Sequence, residues 1–130
     1  MKEKFEVVKQ YLQEMDVAIV SEDGDGQVVV IEDEEYGIKN LVIDCEPPIL
    51  VLEQVIMKVK PGSEQVFKRL LQMNRELVHG AFVLDENAEF IIFRDTLQLE
   101  NLDRNELEGS IHALTLGLLE YGTELLELSA

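Results

Sequence analysis

A chain of 130 residues has room for one domain and one hydrophobic core, which excludes an enzyme with a cleft between two lobes. Apolar residues make up 46%, enough to offset chain entropy, so a disordered chain is excluded as well. Lys and Arg number 11 against 27 Asp and Glu, and a net charge of −16 repels a nucleic-acid backbone.

The charge has no detachable tail: residues 1–60 hold 6 basic and 14 acidic groups and residues 61–130 hold 5 and 13, so each part carries −8. The lone Cys45 cannot close an internal disulfide, which argues against a small secreted scaffold. The charged start has no apolar run behind it, and no later stretch reaches the roughly 20 apolar residues a membrane span requires. A single cytoplasmic domain over residues 1–130, without membrane insertion, is the expectation.

Phe5, Val8, Leu12 and Met15 fall at helical spacing within residues 3–15 and predict an amphipathic first helix. Short β-rich runs follow at 17–20, 27–31, 41–43 and 51–59. Gly24-Asp25-Gly26 predicts a hairpin turn, on the ground that glycine takes positive φ without a Cβ clash, and Tyr36-Gly37 predicts the next turn. Leu41, Ile43 and Cys45 alternate with Asp44 and Glu46, giving the third strand a dry and a wet side. Pro47-Pro48 interrupts the ladder because neither residue donates a backbone hydrogen bond, leaving either two strands or one bent strand around it. Val55, Met57 and Val59 are assigned to one side of the fourth strand.

Ser63 is positioned to cap a helix over about 64–77. Val66, Leu70, Met73 and Leu77 form its apolar stripe, and Phe67 and Leu71 flank that stripe, an arc wider than one sheet contact needs. A hairpin pairs 81–84 with 90–93 through the polar residues 85–89, and Leu97 and Leu99 continue its second strand. Asp103 and Glu106 then form a capping-box pair that opens a last helix running to about residue 127. Its seam is Leu107, Ile111, Leu114, Leu118, Tyr121, Leu125 and Leu128, with Leu116 nearly opposite. Gly109, Ala113 and Gly117, each four apart, make a bare groove in which another backbone can come close. The predicted class is α+β, an antiparallel sheet packed by helices in the order α-β-β-β(-β)-α-β-β-α.

Candidates for chemistry are weak. A calcium loop starting at Asp23 needs an acid at its fifth position and glycine at its sixth, where Gln27 and Val28 stand. Alternation turns Cys45 inward as a core thiol, away from His79 and His112 on other elements. His112 lacks a second zinc ligand at i+4, the place of Leu116. The acidic run at 32–35 reads as a solvated strand end or loop. No phosphate loop, Ser-His-Asp order or zinc cluster is recognisable, so no catalytic, cofactor-binding or metal residue is assigned.

The stretch from Asn74 through His79-Gly80-Ala81-Phe82 to Asp85, followed by Leu97 to Asp103 and a leucine-rich helix, resembles the YbjN family and the type III secretion chaperone-like (CesT/Tir) superfamily. The shared pattern is a helix ending near Asn, a Leu-x-x-Gly-x-Phe strand, a hairpin and a Leu-Asp helix start; it covers about residues 63–128. That resemblance implies a homodimer of α+β subunits that binds polypeptide without catalysis and needs no cofactor. The surplus apolar positions Phe67, Leu71 and Leu116 are the candidate protein interface, facing a second copy or a client chain. The alternative is a small-ligand or metal-responsive regulator using the acidic run or a pocket under the last helix.

Overall fold

Alternating apolar and polar residues between Ala18 and Lys58, and again between Ala81 and Gln98, build an antiparallel sheet on which amphipathic helices pack. The computed structural model describes residues 2–62 and 64–129. Helix α1 (Lys2–Glu14) leads into strands β1 (Ala18–Asp23), β2 (Val28–Asp33), β3 (Ile38–Glu46) and β4 (Ile49–Lys58). Helix α2 (Glu64–Glu76), strands β5 (Ala81–Leu84) and β6 (Phe90–Gln98), and the long helix α3 (Arg104–Ser129) complete the order, with a 3-10 turn at Glu34–Tyr36. The sheet runs β1-β2-β3-β4-β6-β5, every neighbour antiparallel. The predicted α+β class and element order are those observed. Pro47-Pro48, a cis peptide, forms the turn between two separate strands, since Glu46 pairs with Ile49 across it.

One core lies on one face of this sheet. Phe5, Val8 and Leu12 of α1, Leu70 and Met73 of α2, and Leu107, Ile111 and Leu114 of α3 join Ile31, Leu41, Ile43, Leu50, Leu52, Ile91 and Phe93 of the strands in a single buried cluster. The α3 seam is as read from sequence, and its start is a reciprocal capping box: the Glu106 amide donates to Asp103 Oδ1 at 2.7 Å and the Asp103 amide to Glu106 Oε1 at 3.2 Å. Buried Gln54 is satisfied at both ends, accepting from the Lys39 amide at 2.9 Å and donating to the Gly37 carbonyl at 3.0 Å, which fixes the entry to β3.

Two sequence expectations meet a different outcome. A β-bulge between Val55 and Met57 breaks the alternation, so Val55 faces solvent at 58% exposure while Met57 and Val59 pack on the core. At the first hairpin the positive φ falls on Gln27 and not on the glycines, because Asp23 Oδ1 holds the turn by accepting from the amides of Asp25 and Gly26, both at 3.1 Å. The Ser63 cap lies outside the described residues.

Candidate protein-binding surface

The Asn74 to Phe82 motif has a physical basis. Asn74 brackets the β5 backbone, donating to the Phe82 carbonyl at 3.0 Å and accepting from the Phe82 amide at 2.8 Å. Gly80 takes φ +75°, and a Cβ there would meet the Phe93 ring at 2.4 Å, so the chain must be bare where it leaves α2. Phe82 then stacks edge-on to Phe93 at 5.8 Å and to Tyr121 at 6.4 Å. Arg69 completes the docking of α2 on α3, its Nη2 donating to Glu124 Oε1 at 3.0 Å and its Nε to the other oxygen. That hydrogen bond holds the Glu124 carboxyl below its ordinary range.

Where the end of α2 meets α3, these contacts leave an open groove of about 600 Å³. Gly109, Ala113 and Gly117 floor it, Val78, Leu116 and Leu119 wall it, and Glu76 and Glu120 bring carboxylates to it. Exposures of 87% for Val78, 64% for Leu116 and 79% for Leu119 place these side chains in water, outside the core. The stripe inferred from sequence lines the groove, but only its Gly109 end is open: a Cβ added there meets nothing within 4 Å, whereas Ala113 belongs to the core and a Cβ at buried Gly117 meets Leu77 at 3.5 Å, Phe93 at 3.6 Å and Phe82 at 3.9 Å.

The three sequence candidates are not brought together. Leu116 lies in the groove wall; Leu71 is 73% exposed on the outward side of α2, outside that lining. Phe67 is half-buried and packs against the core beside the 58–62 segment. Sequence reading passed over Leu119 and Val78. Leu119 stands three residues after Leu116, a spacing that puts both on one helical face and is the signal that could have found it.

Among the described residues, the opposite sheet face carries no helix. Val42, Asp44, Val51, Glu53, Val55 and Ile92 line a shallow hollow there of about 200 Å³, and Arg94 Nε donates to Glu53 Oε1 across it at 2.9 Å. Asp44 is pushed up to about 6, by burial first and then by the hydrogen bond and charge of Glu46 and the charge of Glu53. Cys45 is buried, and burial followed by the Asp44 charge pushes its thiol up to about 11, so it stays protonated at neutral pH. His79 and His112 are exposed. Among the described residues, no group of three or more His, Cys, Asp or Glu side chains could hold a metal ion. The acidic run 32–35 ends β2 and enters the 3-10 turn, whose Tyr36 carbonyl accepts from Thr115 Oγ1 at 2.7 Å. Among the described residues, no helix is long and apolar enough to cross a membrane.

Residues 1–130 match the family CesT_Tir_1. The chain belongs to that family. Three solved structures share its fold. YbjN from E. coli aligns with a TM-score of 0.69 at 13% identity, covering 93% of this chain and 92% of its own. A protein from Methanothermobacter thermautotrophicus gives 0.70 at 13%, covering 98% and 99%. A chain of the HopA1–SchA chaperone–effector complex gives 0.64 at 15%, covering 92% and 91%. No curated protein matches by sequence.

Proposed function

We propose that this member of the CesT_Tir_1 family is a non-enzymatic, chaperone-like protein-binding module that works in the cytoplasm as a homodimer and holds a polypeptide partner. What carries this is the apolar surface left over once the core is closed: Val78, Leu116 and Leu119 around a ready-made groove, with Leu71 on the neighbouring helix. Fully burying one such side chain is favourable by about 1.5–3 kcal/mol, and a monomer leaves that gain unrealised. The shared fold with a chain of a chaperone–effector complex supports the same reading. The proposed contact residues are Leu71 and Leu116, with Phe67 contributing its exposed edge one turn before Leu71.

Holding a partner is a measurable activity. A chemically unfolded, aggregation-prone protein diluted into buffer becomes turbid, and an equimolar amount of this chain is expected to suppress that turbidity. Aggregation that proceeds at the same rate with and without the chain would remove the chaperone-like reading.

A further inference from the structure

We infer, resting on the protein-binding reading above, that the client segment held beside α3 carries lysine or arginine at both ends and aliphatic side chains between them. The groove does not end at Gly109. A second, polar hollow of about 270 Å³ adjoins it at the start of α3, and His79 and Gly109 line both. Asp95 and Glu106 bring carboxylates to that hollow, as Glu76 and Glu120 do to the groove. Along α3 the surface therefore reads acidic at Glu106, bare at Gly109, aliphatic at Leu116 and Leu119, and acidic again at Glu120. At 1.5 Å per residue, Glu106 to Glu120 spans about 21 Å, the length of about six residues of extended chain.

Among the described residues, none of these four carboxylates is paired with a cation, and no lysine or arginine lines either hollow. The neighbouring cations are engaged elsewhere. Arg69 is held by Glu124, and Arg104, the one lysine or arginine of α3, reaches Glu14 at 3.3 Å and Glu108 at 3.7 Å. Asp95 accepts from the Ser110 hydroxyl at 2.7 Å and the Thr96 amide at 2.9 Å, and Glu106 accepts from the Asp103 amide. These neutral donors orient the carboxylates and leave their charge uncancelled. At the other end, burial first, then the charge and hydrogen bond of Glu120 and the charge of Glu76, raise the Tyr121 phenol, so both carboxylates reach one side chain. A neutral or anionic segment brings no countercharge to this surface. Cations at both ends of an aliphatic segment meet carboxylates at both ends of the aliphatic wall.

Fluorescence anisotropy of the full chain tests this with a rhodamine-labelled peptide that has two lysines at each end of an alternating leucine and serine stretch. It should bind at least about tenfold more tightly than a counterpart with glutamates for lysines, or one with serines for leucines. Leu116→Ser should weaken binding of the lysine peptide about tenfold, and Glu76→Gln with Glu120→Gln at least about fivefold. All three side chains are exposed, so the circular-dichroism melts should not change. The same loss of charge placed outside the groove, Glu34→Gln with Glu35→Gln, should alter binding less than about twofold. That control separates the groove from general attraction to a chain of net charge −16. A lysine peptide that does not bind, equal effects of the two glutamine pairs, equal binding of the glutamate peptide, or indifference to Leu116→Ser would each overturn the assignment. So would an affinity that falls as the chain is concentrated, because a second copy would then be the occupant. If turbidity is still suppressed while the lysine peptide fails to bind, the protein-binding reading stands and this assignment falls.

Discussion

On the open sheet face, short branched valines stand beside an ion pair, Glu53 with Arg94; along α3, long leucines stand in water beside carboxylates with no cation among the described residues. Both regions are apolar and uncovered, yet strand structure itself accounts for the first. Valine favours a pleated backbone, and neighbouring side chains shelter one another there, to the point that Val51 is 5% exposed without a helix above it. No such reason holds for Leu116 or Leu119, because glutamate or lysine would serve an exposed helix position as well. Leu116 and Leu119 are therefore the positions at which the proposed partner surface is put to the test.

The sharpest way to break this comparison is to truncate leucines two positions apart on α3. Leu114 is 1% exposed and Leu116 is 64% exposed. Leu114→Ala should cost about 2–5 kcal/mol in urea unfolding, from lost burial and the cavity left behind. Leu116→Ala, measured where chains are too dilute to pair, should change stability by less than about 0.5 kcal/mol. Equal costs would mean that Leu116 belongs to the core and the groove is closed in solution.

A smaller effect sharpens the sheet side. Asp44 has a folded pKa of about 6, above its unfolded value, so between those two values the folded state binds a proton that the unfolded state does not. Its contribution to stability therefore grows as pH falls through 6 and is lost as pH rises through it. Asp44→Asn carries no charge at either end, so its melting temperature should rise less between pH 7 and pH 5 than that of the unaltered chain, and should be the higher of the two at pH 7. Identical pH profiles would show that the sheet face solvates Asp44 freely.

Much of the fold was legible because periodicity and caps are local. The α3 seam and the Asp103–Glu106 box depend on residues a turn apart, and the dry side of β3 on simple alternation. The bulge at Val55 was not legible, since it depends on register against β6. At the candidate site, Gly109, Ala113 and Gly117 marked the helix stripe that lines the groove, though Ala113 and Gly117 proved to be buried, and Leu116 announced itself by falling opposite the seam. Val78 and Glu76 did not, because their place in the groove follows from how α2 docks through Asn74 and Arg69, which joins residues distant in sequence. Phe67 showed the converse: beside Leu71 on a helical wheel, it turned out half-buried against the core.

Hydroxyl-radical footprinting reads side-chain cover directly and separates the two faces in one experiment. If the chain works by pressing leucines against another polypeptide, oxidation of Leu71, Leu116 and Leu119 should slow several-fold as the chain is concentrated or an unfolded client is added, while Val42 and Val55 keep their rate. Leucines that oxidise equally fast when dilute, concentrated or mixed with client would contradict that claim.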